Sequence, residues 1–587
     1  MRPMFVSAQS TLRVTRSLLL ALGVAAAGFL PFACIHAAEA PTAAIKVDQV
    51  GYPLHGPKMA LVSTAAGEFT VRRTTDGAVE FRGKLTPAQS DPDTGDTVQA
   101  ADFSALEKPG NYYLEVPGVG RSWNFAVDRS VYAKTLYLAM RAFYGQRCGI
   151  AVDLGSEFPG YSHPACHSHG DFNPTSGKSG PRDNLGGWHD AGDYGRYIVN
   201  SGITTGTLLW AWEIYAPKLR TLGLQIPESG NGTPDFLNEI RWNLKWMLAM
   251  QDEDGGVWHK QTSTHFPGFI SPEADTLPSE VIGTGTAPYK STCATADFAA
   301  VAAIAARVYK PHDAAFAAKA LEAAQRAWAW TGKNPNVIFR NPPDISTGEY
   351  GDSNCADERL WAAAELWRTS GDAQYNDYFL AHYAEYLPSI ENAPPESWNQ
   401  MAPMALRAYA MSKQKGTDAR AVDDIRTRAL ASAHAVVDRI HANAYRIGMR
   451  SNDYVWGSNG VAAQYAVDLL LANQLQPDPA FVNAARDILH YLLGRNTFSL
   501  SFVTQVGDNA VKHPHHRPSG DGRHALPWPG LLSGGPNAGR QDAILAALPP
   551  DLPPAKNYAD QTASYASNEV AINWQAALVF LLAGEQE

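Results

Sequence analysis

The chain has 587 residues, of which 45% are hydrophobic and 18% are charged, so it can bury more than one core. Its formal net charge of −10 argues against nucleic acid as a partner, because surfaces that bind phosphates are basic. We therefore expect a globular protein of at least two domains.

The first 40 residues differ in character from the rest of the chain. Arg2, Arg13 and Arg16 precede an apolar run that ends in small residues, a pattern typical of a secretory signal peptide. A membrane anchor is the alternative, but Pro31 breaks the run early. No later segment has the roughly twenty uninterrupted apolar residues of a membrane span. We predict a protein that is secreted or periplasmic, with no membrane attachment once residues 1–40 are removed.

Residues 41–129 favour β structure. Short runs of β-branched and aromatic residues alternate with turn signals such as "TTDGA" and "DPDTGD". Several short strands at even spacing predict a small all-β sandwich of the immunoglobulin type, although the region lacks a cysteine pair.

Residues 130–587 favour helices. Alanine-rich segments such as "ADFAAVAAIAARVY" and "DERLWAAAELWRTS" carry apolar residues at steps of three and four. Three aspartates are each followed, three residues later, by an aromatic residue, and each is a candidate helix N-cap: Asp313, Asp372 and Asp478. Repeated helix pairs over this length predict a ring of helical hairpins.

Four residues that could bind a metal lie in the first part of the helical region: Cys148, Cys166, His167 and His189. Two thiolates and two imidazoles would make a closed tetrahedral zinc site. Their spacing fits no short zinc-finger pattern, and a Cys148–Cys166 disulfide with incidental histidines is the alternative. The residues alone leave both interpretations open, and they assign no role to Cys293 and Cys355.

Candidate catalytic carboxylates occur at two distant places. Asp190 and Asp193 lie in the glycine-rich "GGWHDAGDYGRY", where glycines allow the backbone to approach a ligand closely. Asp560 and Glu569 lie in "YADQTASYASNEVAINWQA", and Tyr565 precedes Glu569 by four residues. Helix capping is the alternative role for such acids.

Two further groups suggest sugar binding. His515 and Arg517 lie in "HPHHRPSGDGRH", a histidine-rich surface segment in which an arginine could bind hydroxyls or a carboxylate. Trp258 and Trp456 lie in loop-like sequence, where exposed rings could stack on sugar faces. The alternative is that these two tryptophans are core residues, which would not contact sugar.

Together these motifs resemble those of glycoside hydrolase family 9, the cellulase family with an inverting mechanism. Residues 501–517 fit its histidine signature, residues 190–197 match its DAGD loop, and residues 558–576 fit its acidic signature. The one departure is Gln575, where the family usually has asparagine. The resemblance covers nearly all of the mature chain and implies an immunoglobulin-like domain followed by an (α/α)6 barrel.

The resemblance also implies roles for the candidate residues. Asp193 would be the general base that activates water, Asp190 would help to hold that water, and Glu569 would be the general acid. His515 and Arg517 would bind sugar near the cleaved bond. Inversion needs two carboxyl groups about 6.5–9.5 Å apart, which Asp193 and Glu569 can provide from distant parts of the chain.

Two metals follow from the same resemblance. Related enzymes of the immunoglobulin-linked branch carry zinc on two cysteines and two histidines, which favours zinc on Cys148, Cys166, His167 and His189. The segment "TGEYGDSNCADERLWAAAEL" resembles one that binds calcium in several family members, so Asp352, Asp357 and Glu358 are candidate ligands. Both ions would be structural.

We therefore expect an exported, monomeric β-1,4-glucanase that acts on β-glucan. The alternatives within the same fold are a xyloglucanase and an exo-acting glucosidase or glucosaminidase. A non-catalytic glycan-binding protein is the alternative outside enzymes, and the presence of all the candidate catalytic residues argues against it.

Overall fold

The computed structural model describes residues 40–182, 186–391 and 394–586. The predicted signal peptide, apart from Ala40, lies outside the described residues. From Ala40 onwards the chain begins with short strands and continues with long helices, which agrees with the change of sequence character near residue 130.

The N-terminal strands form two sheets. Their bounds are β1 (Ile45–Lys46), β2 (Gly51–Pro53), β3 (Met59–Val62), β4 (Glu68–Arg73), β5 (Val79–Lys84), β6 (Gln89–Ser90), β7 (Thr97–Asp102), β8 (Gly110–Val116), β9 (Gly120–Arg121) and β10 (Phe125–Asp128). One sheet has the order β1-β3-β7-β6; the other has the order β2-β10-β8-β4-β5, with β9 paired to β8. Strands β2 and β10 are parallel, and the other pairs are antiparallel.

Buried and partly exposed residues alternate along the strands, which shows that the core lies between the two sheets. In β8, Tyr112, Leu114 and Val116 are buried while the residues between them are partly exposed, as expected for a strand with one buried face. They belong to one apolar cluster with Phe69 and Phe125. The predicted immunoglobulin-like sandwich is confirmed.

Helices make up most of the remaining chain. They are α1 (Ala133–Gly145), α2 (Ile198–Leu219), α3 (Asp235–Ala249), α4 (Thr292–Tyr309), α5 (Ala314–Lys333), α6 (Ala356–Ser370), α7 (Ala373–Tyr386), α8 (Ala402–Ala410), α9 (Ala419–Ala442), α10 (Ser458–Leu475), α11 (Pro479–Leu492), α12 (Arg517–Gly520), α13 (Ala543–Ala546), α14 (Tyr565–Asn568) and α15 (Ile572–Gly584). The carboxylates of Asp313, Asp372 and Asp478 accept hydrogen bonds from the first turns of α5, α7 and α11, as their spacing predicts.

The helices form a double ring. In the inner ring α15, α2, α4, α6 and α8 contact one another in that order, and α10 packs on α15. An ion pair of 2.7 Å between Arg407 of α8 and Asp468 of α10 links the remaining neighbours. Six helices, α1, α3, α5, α7, α9 and α11, pack outside their inner partners, with α1 on α15. The predicted (α/α)6 barrel is confirmed.

The inner helices are enclosed by the rest of the barrel, and most of their side chains are buried. Helix α4 is the one described helix that is long and apolar enough to cross a membrane, yet 94% of that stretch is buried inside the barrel. It is therefore a core helix of the barrel.

The sandwich is joined to the barrel by buried polar contacts. The Asp48 carboxylate accepts hydrogen bonds from Nδ1 of His490 at 2.8 Å and from the Tyr132 hydroxyl at 3.1 Å. The Gln49 amide donates to the Ser499 carbonyl at 2.9 Å and accepts from the Asn509 N–H at 2.7 Å. These contacts hold the sandwich against α11 and the segment that follows it.

Short strands connect the helices near the site. They are β11 (Val152–Asp153), β12 (Ser162–His163), β13 (Gly170–Phe172), β14 (Pro181–Arg182), β15 (Arg196–Tyr197), β16 (Lys260–Thr262) and β17 (Ser279–Ile282). Strand β11 pairs with β12, and the other five form a sheet of order β14-β13-β17-β16-β15. This sheet positions the residues before α2.

Candidate active site

A cleft of about 1040 Å³ brings the distant motifs together. It is lined by segments that precede the inner helices α2, α8, α10 and α15, so it lies at the N-terminal ends of those helices. The predicted site residues that line it are Asp190, Asp193, Trp456, His515, Arg517, Tyr565 and Glu569.

Backbone hydrogen bonds fix the three motifs to one another. The Ile572 N–H donates to the Asp190 carbonyl at 2.9 Å, and the Arg517 N–H donates to the Gly192 carbonyl at 3.1 Å. A Cβ atom on Gly192 would lie 2.1 Å from the His515 carbonyl oxygen, so this position requires glycine. The glycine of the loop thus allows the histidine motif to pack directly against it.

Asp190 and Asp193 lie in the loop before β15, not on a helix, so helix capping is excluded as their role. Asp190 accepts hydrogen bonds from the Asn200 amide at 2.8 Å and the Tyr350 hydroxyl at 2.5 Å. Burial, and then the charge of Asp193, raises the pKa of Asp190 to about 8.

Asp193 is held by one of its two carboxylate oxygens. Its Oδ2 accepts hydrogen bonds from the Gly195 N–H at 3.0 Å and the Tyr197 hydroxyl at 3.1 Å. Two donors to one oxygen fix the orientation of this carboxylate in the cleft.

Glu569 lies in an extended segment between α14 and α15 and forms a β-bridge with His515. Burial raises the pKa of Glu569 to about 8, with further contributions from the negative charges of Asp193 and Asp190. The Arg517 charge and the Gly192 backbone oppose this rise. A carboxyl group in these surroundings is protonated at neutral pH.

His515 and Arg517 are held by backbone carbonyls. Nδ1 of His515 lies 2.7 Å from the Thr562 carbonyl, and the Arg517 guanidinium donates to the Gly192 and Pro267 carbonyls at 2.8 and 3.0 Å. Most of the Arg517 guanidinium is thereby used to hold the loops, which leaves His515 more open to a sugar.

The exposed aromatic residues differ from the sequence prediction. Trp456 and Tyr565 are 40% and 38% exposed, and their rings lie 5.4 Å apart in the cleft. Trp258 is fully buried, and its indole N–H donates to the Ser176 carbonyl. The prediction that Trp258 binds substrate is therefore wrong, because its sequence context resembles a loop while its ring fills the core.

Two phenylalanines in the cleft region escaped the sequence reasoning. Phe266 and Phe269 are 42% and 36% exposed, and both rings lie within 5.5 Å of the Arg517 guanidinium carbon. Phe269 also packs edge-on against His515. The signal was present in "THFPGF", where two aromatic residues flank a Pro-Gly turn.

Asp560 has a supporting position. Its carboxylate accepts hydrogen bonds from the Lys512 and His513 N–H groups at 2.9 and 2.8 Å and from the Asn568 amide at 3.1 Å. It is not among the residues that line the cleft. Asp560 therefore joins the histidine motif to the acidic motif, and the prediction that it is catalytic is replaced by a positioning role.

Gln575, the one departure from the acidic signature, is fully paired. Its amide donates to the Ala139 and Gly530 carbonyls and accepts from the Leu532 N–H, at 2.8–2.9 Å. The longer side chain is accommodated without an unpaired polar atom.

The cysteine and histidine residues form a possible metal centre. One ligand atom from each of Cys148, Cys166, His167 and His189 lies within 4.8 Å of the others, and the two thiols are free and buried. The alternative disulfide between Cys148 and Cys166 is therefore not formed. His167 bonds Asp275 through Nε2 at 3.2 Å, while its Nδ1 is buried without a partner.

Asp352, before α6, and Asp357 and Glu358, in the first turn of α6, lie near a fourth acidic residue that the sequence did not reveal. Asp297 of α4 is fully buried, and burial, then the charges of Asp357 and Asp352, raises its pKa well above the usual range. Both carboxylate oxygens of Asp297 and of Glu358 are buried without hydrogen-bond partners. The only sequence signal for Asp297 was an acid inside an otherwise apolar helix.

A disulfide between Cys293 of α4 and Cys355 holds the start of α6 beside this acidic cluster. The sequence left both cysteines unassigned. Their separation of 62 residues gave no indication of the pairing, which depends on the contact between α4 and α6.

Comparisons with known proteins agree with this geometry. The family model described as "Glycosyl hydrolase family 9" matches residues 132–582, and that described as "Cellulase N-terminal ig-like domain" matches residues 40–121. The chain belongs to glycosyl hydrolase family 9. It is therefore a glycoside hydrolase, as the motifs predicted.

Individual relatives cover most of the chain. Endoglucanase D of Acetivibrio thermocellus is 37% identical over 92% of this chain and 83% of its own length. The xyloglucan-specific endo-beta-1,4-glucanase BoGH9A of Bacteroides ovatus is 34% identical over 92% of this chain and 93% of its own length. The crystal structure of a Zn-binding triple mutant of the family 9 endoglucanase J30 has a TM-score of 0.85 and 35% identity, covering 91% of this chain and 99% of that one.

Proposed function

We propose that this chain is an exported β-1,4-glucanase that hydrolyses glucan with inversion, with Asp193 as general base and Glu569 as general acid. The observation that carries the proposal is the convergence of these two carboxyl groups, with opposite surroundings, on one open cleft. The relatives named as endoglucanases support the same activity.

The proposed reaction uses the protonation states that the surroundings favour. Glu569, with its pKa raised to about 8, gives its proton to the departing glycosidic oxygen. Asp193 presents Oδ1 to a water molecule, because Oδ2 is held by Gly195 and Tyr197. The water attacks the opposite face of the sugar, so the product has inverted configuration.

The aromatic rings support an endo-acting enzyme. His515, which adjoins Glu569, contacts Phe269 with ring centroids 5.0 Å apart and Tyr565 with ring centroids 5.9 Å apart. Trp456 in turn contacts Tyr565, and the exposed rings of Phe266, Trp456 and Tyr565 all line the cleft with Glu569. Contiguous apolar surface in a cleft is typical of a ligand groove. A glucan chain could therefore be bound on both sides of the cleaved bond.

We test activity and substrate with soluble carboxymethyl cellulose, mixed-linkage glucan, xyloglucan and chito-oligosaccharides. Rapid fragmentation of an unbranched β-glucan supports the endoglucanase. Preference for xyloglucan would make this chain similar in substrate to BoGH9A, and slow release of single sugars would indicate exo action. Binding without turnover would overturn the proposal.

We also infer that Cys148, Cys166, His167 and His189 hold a structural zinc ion. The donor set is that of a closed tetrahedral site, and the Asp275 carboxylate on the second ring nitrogen of His167 fits the usual support of a metal-bound histidine. The Zn-binding variant of J30 supports zinc in this fold. Bound zinc would fix His189, whose neighbour in the chain is Asp190.

Calcium is proposed at the acidic cluster of Asp352, Asp357 and Glu358, extended by Asp297. Unpaired buried carboxylate oxygens are costly without a cation, and oxygen ligands suit calcium. The Cys293–Cys355 disulfide supports the proposed export, since disulfides persist in oxidising compartments. Calcium content after chelation, and the location of the mature chain after expression, test these two proposals.

A further inference from the structure

Lys260, on β16, is a fully buried lysine next to the catalytic loop. Its Nζ donates hydrogen bonds to the Asn341 side chain at 2.7 Å and the Gly348 carbonyl at 2.8 Å, and to two oxygens of Thr347 at 3.2 and 3.3 Å. Within the described part of the chain, no carboxylate lies within 4 Å of this ammonium group. Its charge is thus solvated by neutral oxygens and remains available to act at longer range.

Asp193 is the group on which the positive charge of Lys260 can act. Cross-strand pairing places Lys260 opposite Tyr197, and Nζ lies 5.7 Å from the centre of the Tyr197 ring. The hydroxyl of that ring donates to Oδ2 of Asp193. Burial lowers the pKa of Lys260 to about 7, and the negative charges of Asp193 and then Glu349 oppose this decrease.

The partners of Lys260 also form part of the cleft. Asn341, Thr347 and Gly348 line it, and two residues further along the chain the Tyr350 hydroxyl donates to Asp190. Lys260 therefore holds the segment 341–348 against the catalytic loop from beneath. A neutral side chain of the same length could fill the space but could not supply the charge.

We propose that Lys260 is a positioning residue that stabilises the ionised form of Asp193 through its positive charge and anchors the cleft segment 341–348. This inference rests on the proposed role of Asp193 as general base. The other charged and titratable groups that face Asp193 come from its own loop, from β15, from the segment before α6 and from the two C-terminal motifs: Asp190, Tyr197, Tyr350, His515 and Glu569. Glu349 faces Lys260, and Arg517 faces Glu569 and His515.

The sign of the expected effect follows from this arrangement. A nearby positive charge favours an ionised carboxylate, so removal of the Lys260 charge makes the base easier to protonate. The base must be ionised, so the acid limb of the kcat/KM profile moves to higher pH. Lys260, with its pKa at about 7, is protonated throughout the range in which an aspartate ionises, so its charge is present when it is needed.

The test compares Lys260→Met with Lys290→Met as a matched control. Lys290 is another buried lysine, but it pairs with Asp252 at 2.6 Å and is not among the cleft-lining residues. We expect Lys260→Met to shift the acid limb upward by roughly half to one pH unit and therefore to lower kcat/KM about three- to tenfold on the steep part of that limb. Lys290→Met should leave the limb in place.

Asn341→Ala separates the electrostatic role of Lys260 from its anchoring role. It removes the hydrogen bond between Lys260 and the 341–348 segment at Asn341 but keeps the positive charge of Lys260. It should weaken substrate binding without moving the acid limb, and Lys260→Arg should restore the limb. If Lys260→Met does not fold, Lys260→Gln gives the same readout, since its amide can still donate to Asn341 and Gly348. An acid limb that stays in place in the folded neutral variant would overturn the proposal.

The proposed function fails by a different result. If Asp193→Asn retains the activity of the unchanged enzyme, then Asp193 is not the base, whatever Lys260 does. If instead Asp193→Asn abolishes activity while the acid limb stays in place in the Lys260 variants, the proposed function stands, and only the proposed role of Lys260 is rejected.

Discussion

Asp193 and Glu569 line the same cleft, yet the chain surrounds them in opposite ways. The loop before β15 gives Asp193 two hydrogen-bond donors, the Gly195 N–H and the Tyr197 hydroxyl. The segment before α15 leaves Glu569 partly exposed as a residue, but desolvation of its carboxyl group, and then the charges of two nearby carboxylates, raise its pKa to about 8. One acid is thus prepared to accept a proton and the other to donate one, and chemically similar side chains receive opposite roles.

Removal of the proton donor at Glu569 should have the largest effect on activity. We expect Glu569→Gln to lower kcat on soluble β-glucan about a thousandfold, because general acid catalysis of this kind contributes about 10²–10⁴-fold. Reducing-sugar release measures the loss. A cellobioside with a good aryl leaving group is the control, since its departure needs little protonation and should lose much less activity. Residual activity within tenfold of the unchanged enzyme on glucan would contradict the role of Glu569.

The pH dependence of kcat/KM tests the raised pKa of Glu569. Because Glu569 must be protonated and its pKa is raised to about 8, kcat/KM should hold up to neutral pH and fall about tenfold per unit above pH 8. Initial rates from pH 4 to 10 measure this limb, with circular dichroism to show that the fold persists. A limb that begins below pH 6 would contradict the raised pKa.

A substitution in the proposed metal centre tests whether zinc binding keeps the loop of Asp190 and Asp193 ordered. His189→Ala should lower activity about tenfold through disorder of the adjacent Asp190–Asp193 loop, as loss of a supporting residue usually does. Zinc content by metal analysis and kcat are measured together. His524→Ala, which changes a histidine outside both the cleft and the metal cluster, is the control. Unchanged activity with zinc fully lost would contradict the coupling of zinc to the loop.

The smallest effect is expected at the aromatic surface. Trp456→Ala should raise KM for long cello-oligosaccharides several-fold and leave kcat nearly unchanged, because we expect its exposed ring to contact substrate away from the reacting bond. Leu526→Ala is the control, since Leu526 is exposed apolar surface outside the cleft. Equal effects of the two substitutions on KM would remove Trp456 from the binding surface.

The fold followed from local sequence patterns. Strand alternation in residues 41–129 and helical periodicity beyond them each depend on neighbouring residues, and the N-cap aspartates at 313, 372 and 478 were readable because a cap acts within three residues. The catalytic motifs were identified by their resemblance to a family, not by any property of the isolated carboxylates.

What the sequence could not provide depends on long-range packing. Trp258 and Trp456 each follow a valine in a segment of glycine and polar residues, and only the fold shows that one ring is buried and the other exposed. Asp297, Lys260 and the Cys293–Cys355 pair become informative only when α4, β16 and α6 are in place. Asp560 carries the same carboxylate as Asp193, but its partners are backbone N–H groups that no spacing rule predicts.

The most direct test of the central claim is the configuration of the first product. Proton NMR should follow hydrolysis of a cello-oligosaccharide whose reducing end is blocked, so that only the newly formed reducing end is observed. The unchanged enzyme and the Glu569→Gln variant are measured side by side. The opposed roles of Asp193 and Glu569 predict that the α-anomer forms first and mutarotates later, and that Glu569→Gln forms almost none of it. Initial formation of the β-anomer would contradict attack by water activated at Asp193.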